Sequence, residues 1–147
     1  MAILQSRRIL LVSDEQTVRE ITQICLETVV KCEVLTVSSS NERIVNAEAQ
    51  QVNAILLDID EKTSHTDWLA LVQSLQNNPA TQDIPIILLI TNIQSHNLLQ
   101  LGSKGIKAAI AKSFDLLALA DRIVAALDWN GNLMELVAVH WIAIAIL

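Results

Sequence analysis

The sequence has few of the residues that mark irregular or disulfide-stapled proteins. Only three glycines and two prolines occur among 147 residues, tyrosine is absent, and 52% of the chain is hydrophobic. This composition excludes disordered and fibrous chains and fits one globular domain of ordinary size. The two cysteines, Cys25 and Cys32, match neither a disulfide framework nor a familiar metal-ligand spacing, so we expect two reduced thiols in a core.

Positive charge is also scarce. Ten Lys and Arg residues stand against 16 Asp and Glu, which gives a formal net charge of -6, and the chain has no basic cluster beyond Arg7-Arg8. Direct binding to nucleic acid is therefore not expected. No long apolar stretch followed by a small-residue cleavage site opens the sequence, so the cytoplasm is the expected location.

Short apolar runs alternate with amphipathic patterns along the chain. The runs predict strands at Arg8–Val12, 32–37, 53–60, Ile86–Ile90 and Ala108–Ala111, and the patterns predict helices at 15–30, from the turn at 39–42 to about 51, and at 67–76, 95–101 and 114–127. Ser39 to Glu42 has the Ser-x-x-Glu form of a capping box at the start of the second helix. Five βα units in this order predict a parallel sheet covered on both faces, which is a doubly wound α/β domain.

The third predicted strand ends in an acidic residue. Four consecutive hydrophobic residues, 54–57, fit a strand buried on both faces, and Asp58 and Asp60 follow at its carboxyl end. Ligands and chemistry in open α/β sheets lie at the carboxyl ends of the strands. Asp58 is therefore the first candidate for a functional residue.

Four segments follow one another at a recognisable spacing: RRILLVSDE, NAILLDID, NNPATQDIPIILLIT and GIKAAIAKSFD. In this register, over residues 7 to about 127, the chain resembles the receiver domain of two-component response regulators. The resemblance implies a flavodoxin-like (βα)5 fold with sheet order 2-1-3-4-5 and a receiver domain over residues 1–128. It also implies a bacterial phosphorelay protein that is not an enzyme beyond self-phosphorylation and autodephosphorylation.

The resemblance assigns roles to individual residues. Asp58 falls on the aspartate that accepts a phosphoryl group from a histidine kinase or phosphotransfer protein. Asp14 falls on the acid that binds Mg²⁺ directly, and Asp60 on the position whose backbone carbonyl completes the metal site. Lys112 falls on the lysine that bridges to the phosphoacceptor. Hard oxygen ligands of this kind suit magnesium. The resemblance also implies that the signal passes to a downstream protein by direct contact.

Several positions depart from the family pattern. Ser13 stands in place of a second acid, Ile90 in place of the Ser or Thr that binds the phosphoryl group, and Ala109 in place of the aromatic residue that reports phosphorylation. Thr91 could supply the missing hydroxyl only if the strand shifts by one residue, and Ser113 replaces a proline. These departures support an alternative: a degenerate pseudo-receiver that serves as a phosphorylation-independent interaction or dimerisation module.

Other interpretations of the acidic residues remain open. Asp14 could cap the first helix, a common role for Asp at a helix start. Asp58-Ile59-Asp60 also has the Asp-x-Asp form of haloacid-dehalogenase-type phosphatases, although the acidic pair that those enzymes need after a later strand is missing.

The last segment, residues 129–147, is apolar and too short for a comfortable membrane span. An exposed apolar segment of this size would promote aggregation, so we expect it to pack on its own domain or on a second copy of the chain.

Overall fold

Five parallel strands form the centre of the protein. The computed structural model describes residues 7–40, 42–59, 65–91, 105–112 and 115–127, with the backbone alone at 42 and 65–67. The strands are β1 (Arg8–Val12), β2 (Glu33–Val37), β3 (Ala54–Ile59), β4 (Ile86–Ile90) and β5 (Ala108–Ala111). They pair in the order β2-β1-β3-β4-β5, and every pairing is parallel. The predicted fold and strand order are confirmed.

Helices cover both faces of this sheet. They are α1 (Gln16–Ile24), continued by a π-helical segment (Cys25–Val30), then α2 (Glu42–Ala49), α3 (His65–Asn77) and α4 (Leu116–Leu127). The helix predicted at 95–101 and the extension at 129–147 lie outside the described residues. In the described ranges no helix is long and apolar enough to cross a membrane.

The alternation of side chains along each strand divides the core into two layers. One layer joins the sheet to the π-helical segment and α4, and contains Ile9, Leu11, Leu56, Leu89 and Ile110. The other joins the sheet to α2 and α3, and contains Leu10, Val12, Leu57, Leu88 and Ile90. The sheet is thus buried on both faces, as the unbroken aliphatic runs predict.

The apolar face predicted for the first helix is partly wrong. The helical period of residues 15–30 places Ile24 on one apolar face with Val18 and Ile21, yet Ile24 is 52% exposed, while Leu26 and Val30 are buried. The change occurs where the α-helix gives way to the π-helical segment at Cys25. A π-helix bonds residue i to i+5 and has a wider turn, so the later side chains rotate away from their α-helical positions.

Both cysteines are free and buried, as predicted. Burial, with the neighbouring Cys32 thiol, raises the pKa of Cys25 to about 12. Burial likewise raises the pKa of Cys32 to about 12. Neither thiol is therefore a reactive nucleophile at neutral pH.

Candidate active site at the carboxyl edge of the sheet

Three polar side chains meet where β1, β3 and β5 end. Ser13 directly follows β1, Asp58 is the penultimate residue of β3, and Lys112 directly follows β5. Backbone hydrogen bonds extend the sheet to these positions: Ser13 N donates to Val37 O at 3.0 Å, and Lys112 N donates to Ile90 O at 2.9 Å. The sheet itself therefore fixes the relative positions of the three residues.

Asp58 is a buried carboxylate with a partner on each oxygen. Its side chain is 2% exposed, and Lys112 Nζ forms an ion pair with its Oδ1. Ser13 Oγ donates to its Oδ2 at 2.7 Å. The carboxylate therefore has a charged partner on one oxygen and a neutral hydrogen-bond donor on the other. The sequence placed Asp58 and Lys112 at matching strand ends, and the structure brings them together.

Ser13 is a rigid neutral group beside Asp58. The residue is fully buried, and its Oγ accepts a hydrogen bond from Glu15 N at 3.2 Å. One hydroxyl thus links the turn after β1 to the carboxylate at the end of β3. A neutral hydrogen-bond donor occupies the position at which the family pattern has a second negative charge.

The carboxylate oxygens of Asp14 are bound by the turn after β2. Oδ1 accepts hydrogen bonds from Ser38 Oγ at 2.6 Å and from Ser39 N at 2.9 Å. Ser39 Oγ donates to Oδ2. Partial burial raises the pKa of Asp14, but these hydrogen bonds and the nearby Arg19 outweigh it, so the pKa lies below its ordinary value.

The alternative that Asp14 caps the first helix is wrong. The N-cap of α1 is Glu15, and no side chain caps it. The capping box predicted at Ser39 stays a prediction, since the Glu42 side chain lies outside the described residues. The observed role of the Ser39 hydroxyl is its hydrogen bond to Asp14.

Asp14 and Asp58 supply the carboxylate oxygens that a divalent metal favours, but both carboxylates already have protein partners in this structure. No three acidic, histidine or cysteine residues of the described ranges come together to hold a metal ion. Ser13 contributes a hydroxyl that is already bonded to Asp58, and Asp14 is held by the serines. Asp60, whose carbonyl was predicted to complete the site, lies outside the described residues.

A cavity of about 310 Å³ opens beside Lys112. It is lined by apolar and polar side chains, namely Glu15, Val18, Ile21, Thr22, Leu89, Thr91, Lys112 and Leu119. The cavity leaves space next to the Asp58–Lys112 pair between α1 and α4. A small group that binds Lys112 could be accommodated there.

The residues around the end of β4 differ in their surroundings. Ile90 is fully buried in the layer formed with α2 and α3, whereas Thr91 is exposed and lines the cavity with Lys112. Ala109 packs against the same layer as Ile90, and Ser113 is outside the described part of the chain. Among the described residues at the end of β4, Thr91 is the residue whose hydroxyl shares the cavity with Lys112.

Sequence reasoning missed the roles of the serines. The sequence pattern assigns Ser39 only a capping role and assigns none to Ser38, although both follow β2 at the same sheet edge as Asp14. That shared edge was the available signal, because β1 and β2 are paired in register from Arg8 and Glu33 to Val12 and Val37.

Comparison with solved structures shows the same fold. The chemotaxis response regulator CheY4 of Vibrio cholerae is 19% identical, with a TM-score of 0.68 over 82% of this chain and 98% of that one. The phosphorylated cyanobacterial phytochrome response regulator RcpA is 22% identical, with a TM-score of 0.59 over 81% and 89% of the two chains. The Mn²⁺-bound form of response regulator Rcp1 is 20% identical, with a TM-score of 0.61 over 81% and 92%.

The sequence itself also identifies a family. No protein of curated function matches the chain, but the family profile described as the response regulator receiver domain matches residues 9–124. That range includes Ser13, Asp14, Asp58 and Lys112, and it covers all five strands apart from the first residue of β1. The chain belongs to the response regulator receiver domain family.

Proposed function

We propose that this receiver domain accepts a phosphoryl group on Asp58 and signals by contact with another protein. Receiver domains are in general non-enzymatic signalling modules that interact with histidine kinases or phosphotransfer proteins. The observation that carries the proposal is the ion pair between the buried Asp58 carboxylate and Lys112 at the carboxyl edge of the sheet. Burial of a carboxylate costs folding free energy unless the carboxylate is paired and hydrogen-bonded. Buried charged pairs of this kind are concentrated at functional sites.

The chemistry follows from the two oxygens of Asp58. Ser13 Oγ donates to Oδ2, so we assign the attack to Oδ1, the oxygen that contacts Lys112. Oδ1 attacks phosphorus, the bond from phosphorus to the donor nitrogen of phosphohistidine breaks, and an acyl phosphate forms. The Lys112 ammonium, already paired with Oδ1, offsets the charge that gathers on the phosphoryl oxygens.

Receiver domains bind Mg²⁺ or Mn²⁺ at their active sites, and Rcp1 is described in a Mn²⁺-bound form. A divalent ion supplies charge neutralisation and orients the phosphoryl oxygens. In this chain Mg²⁺ binding by Asp14, Asp58 and the Asp60 carbonyl stays a prediction, because Asp14 is engaged by Ser38 and Ser39. The proposed phosphoryl transfer depends on Asp58, Lys112 and Ser13 among the chain's own residues.

A second candidate function is that of a pseudo-receiver, which binds a protein partner without being phosphorylated. The observation that favours it is the set of neutral contacts around the acids: Ser13 on Asp58, and the two serines on Asp14. The fully buried Ile90 also offers no hydroxyl for a phosphoryl group.

The test is incubation of the intact chain with acetyl phosphate and MgCl₂, followed by intact mass spectrometry. The proposal predicts the addition of one phosphoryl group, which Asp58→Asn abolishes. Asp83→Asn is the matched control, because Asp83 is an exposed aspartate of the described region, and it should be modified like the wild type. No modification at any metal concentration, together with no beryllofluoride binding, would leave the pseudo-receiver as the function.

Self-association through residues 129–147 is part of the same proposal for partners. Its support is the apolar sequence of that segment. Sedimentation of the full chain should show a dimer, and deletion of residues 130–147 should give a monomer. An unchanged monomeric mass in both cases would remove self-association from the proposal.

A further inference from the structure

We propose that Ser38 and Ser39 form a latch on Asp14 that sets how tightly this receiver binds a divalent metal. The inference rests on the proposed function, since it concerns how the phosphoacceptor site acquires its metal. It assigns to the two serines a positioning role: they hold Asp14 in an arrangement that a metal ion must displace.

The contacts on Asp14 leave little room for another ligand. Oδ1 accepts from both Ser38 Oγ and Ser39 N, and an ionised carboxylate oxygen has about two acceptor positions. Oδ2 accepts from Ser39 Oγ. A metal that binds Asp14 must therefore displace a hydroxyl or use the single position that remains on Oδ2.

The sheet holds the latch in place. β1 and β2 are paired to Val12 and Val37, and Ser13 N donates to Val37 O at 3.0 Å, so the turn with Ser38 and Ser39 lies directly beside Asp14. Ser38 Oγ is also within 2.8 Å of Ser40 Oγ. The serine hydroxyls are thus preorganised for Asp14, and their hydrogen bonds to it form with little further loss of entropy.

The positive charges near Asp14 also disfavour the binding of a divalent cation. Arg19 brings a positive charge next to Asp14, because its Nη1 donates to Ser13 O at 3.5 Å. Lys112 pairs with Asp58. An added divalent cation would meet two existing positive charges and, at Ser13, no carboxylate to offset them, so weak metal binding is expected.

Metal binding itself is the test, measured as the loss of the free Mn²⁺ signal in electron paramagnetic resonance when the full chain is added. Ser38→Ala/Ser39→Ala should bind Mn²⁺ about tenfold more tightly than the wild type, the equivalent of one hydrogen bond to a charged group. Adding Asp14→Asn to the double variant should abolish this gain. Ser38→Thr keeps a hydroxyl and should retain the affinity of the wild type.

Ser74→Ala is the matched control, because Ser74 accepts a hydrogen bond from Asn46 Nδ2 between α2 and α3, away from the site. It should leave Mn²⁺ affinity unchanged. Thermal melting in EDTA shows whether each variant is folded, and Ser39→Ala alone provides a milder change if the double variant is not. An affinity of the latch variants equal to or weaker than that of the wild type would overturn the latch.

The two proposals fail separately. Tighter Mn²⁺ binding in the latch variants without phosphoryl transfer to Asp58 would support the latch and reject the phosphoacceptor. Phosphoryl transfer to Asp58 with no change in Mn²⁺ affinity would support the phosphoacceptor and reject the latch.

Discussion

The carboxyl edge of the sheet has two halves, and the carboxylate in each half has different bonding partners. In the β3–β5 half, Asp58 is buried and paired with a full positive charge on Lys112. In the β1–β2 half, Asp14 is exposed and held by serine hydroxyls and a backbone N–H. The first carboxylate is thus neutralised by a full positive charge, whereas the second is held by neutral groups. We therefore expect the reactivity of Asp58 and the metal affinity of Asp14 to vary independently.

Removing Lys112 is the largest expected perturbation of the first half. Lys112→Ala leaves a buried carboxylate without its charge partner, which should lower the free energy of unfolding by about 3 to 5 kcal/mol at neutral pH. Urea denaturation measures it. Lys107→Ala removes an exposed lysine just before β5 and should change stability by about 0.5 kcal/mol or less. Equal effects of the two variants would show that the ion pair does not stabilise the fold.

Loss of the Ser13 hydroxyl should have an intermediate effect. Ser13→Ala removes the 2.7 Å hydrogen bond to Asp58 Oδ2 and should cost about 1.5 to 3 kcal/mol, because the acceptor is buried and charged. Ser74→Ala, which breaks a hydrogen bond between neutral groups, should cost about 0.5 to 1.5 kcal/mol. Urea midpoints of the two variants compare them, and a smaller loss for Ser13→Ala would contradict the account of the Asp58 environment.

The acid dependence of stability gives the smallest signal and reports on the second half. The pKa of Asp14 is lower in the folded chain than its ordinary value of 3.8, so its contribution is present above that value and is lost as pH falls through the folded pKa. Asp14→Asn should therefore flatten the stability profile below about pH 4. Chemical denaturation at several pH values measures it. A profile identical to that of the wild type would mean that the serine contacts do not favour the ionised form.

Much of this arrangement could be predicted from the sequence. The bounds of β1, β4 and β5 were predicted without error, because each is an uninterrupted aliphatic run, and parallel pairing then brings Asp58 and Lys112 to one edge. The exposure of Ile24 could not be predicted, because it depends on the change to π-helical bonding. The contacts of Asp14 depend on side-chain rotamers and on the turn after β2, which hydrophobic periodicity does not specify.

One measurement tests the contrast between the two halves most directly: phosphoryl incorporation from acetyl phosphate as a function of Mg²⁺ concentration, in the wild type and in Ser38→Ala/Ser39→Ala. We predict that both chains are modified on Asp58 at saturating Mg²⁺. The double variant should reach half of its maximum at about one tenth of the Mg²⁺ concentration that the wild type needs. Superimposable curves, or no incorporation in either chain, would contradict the account.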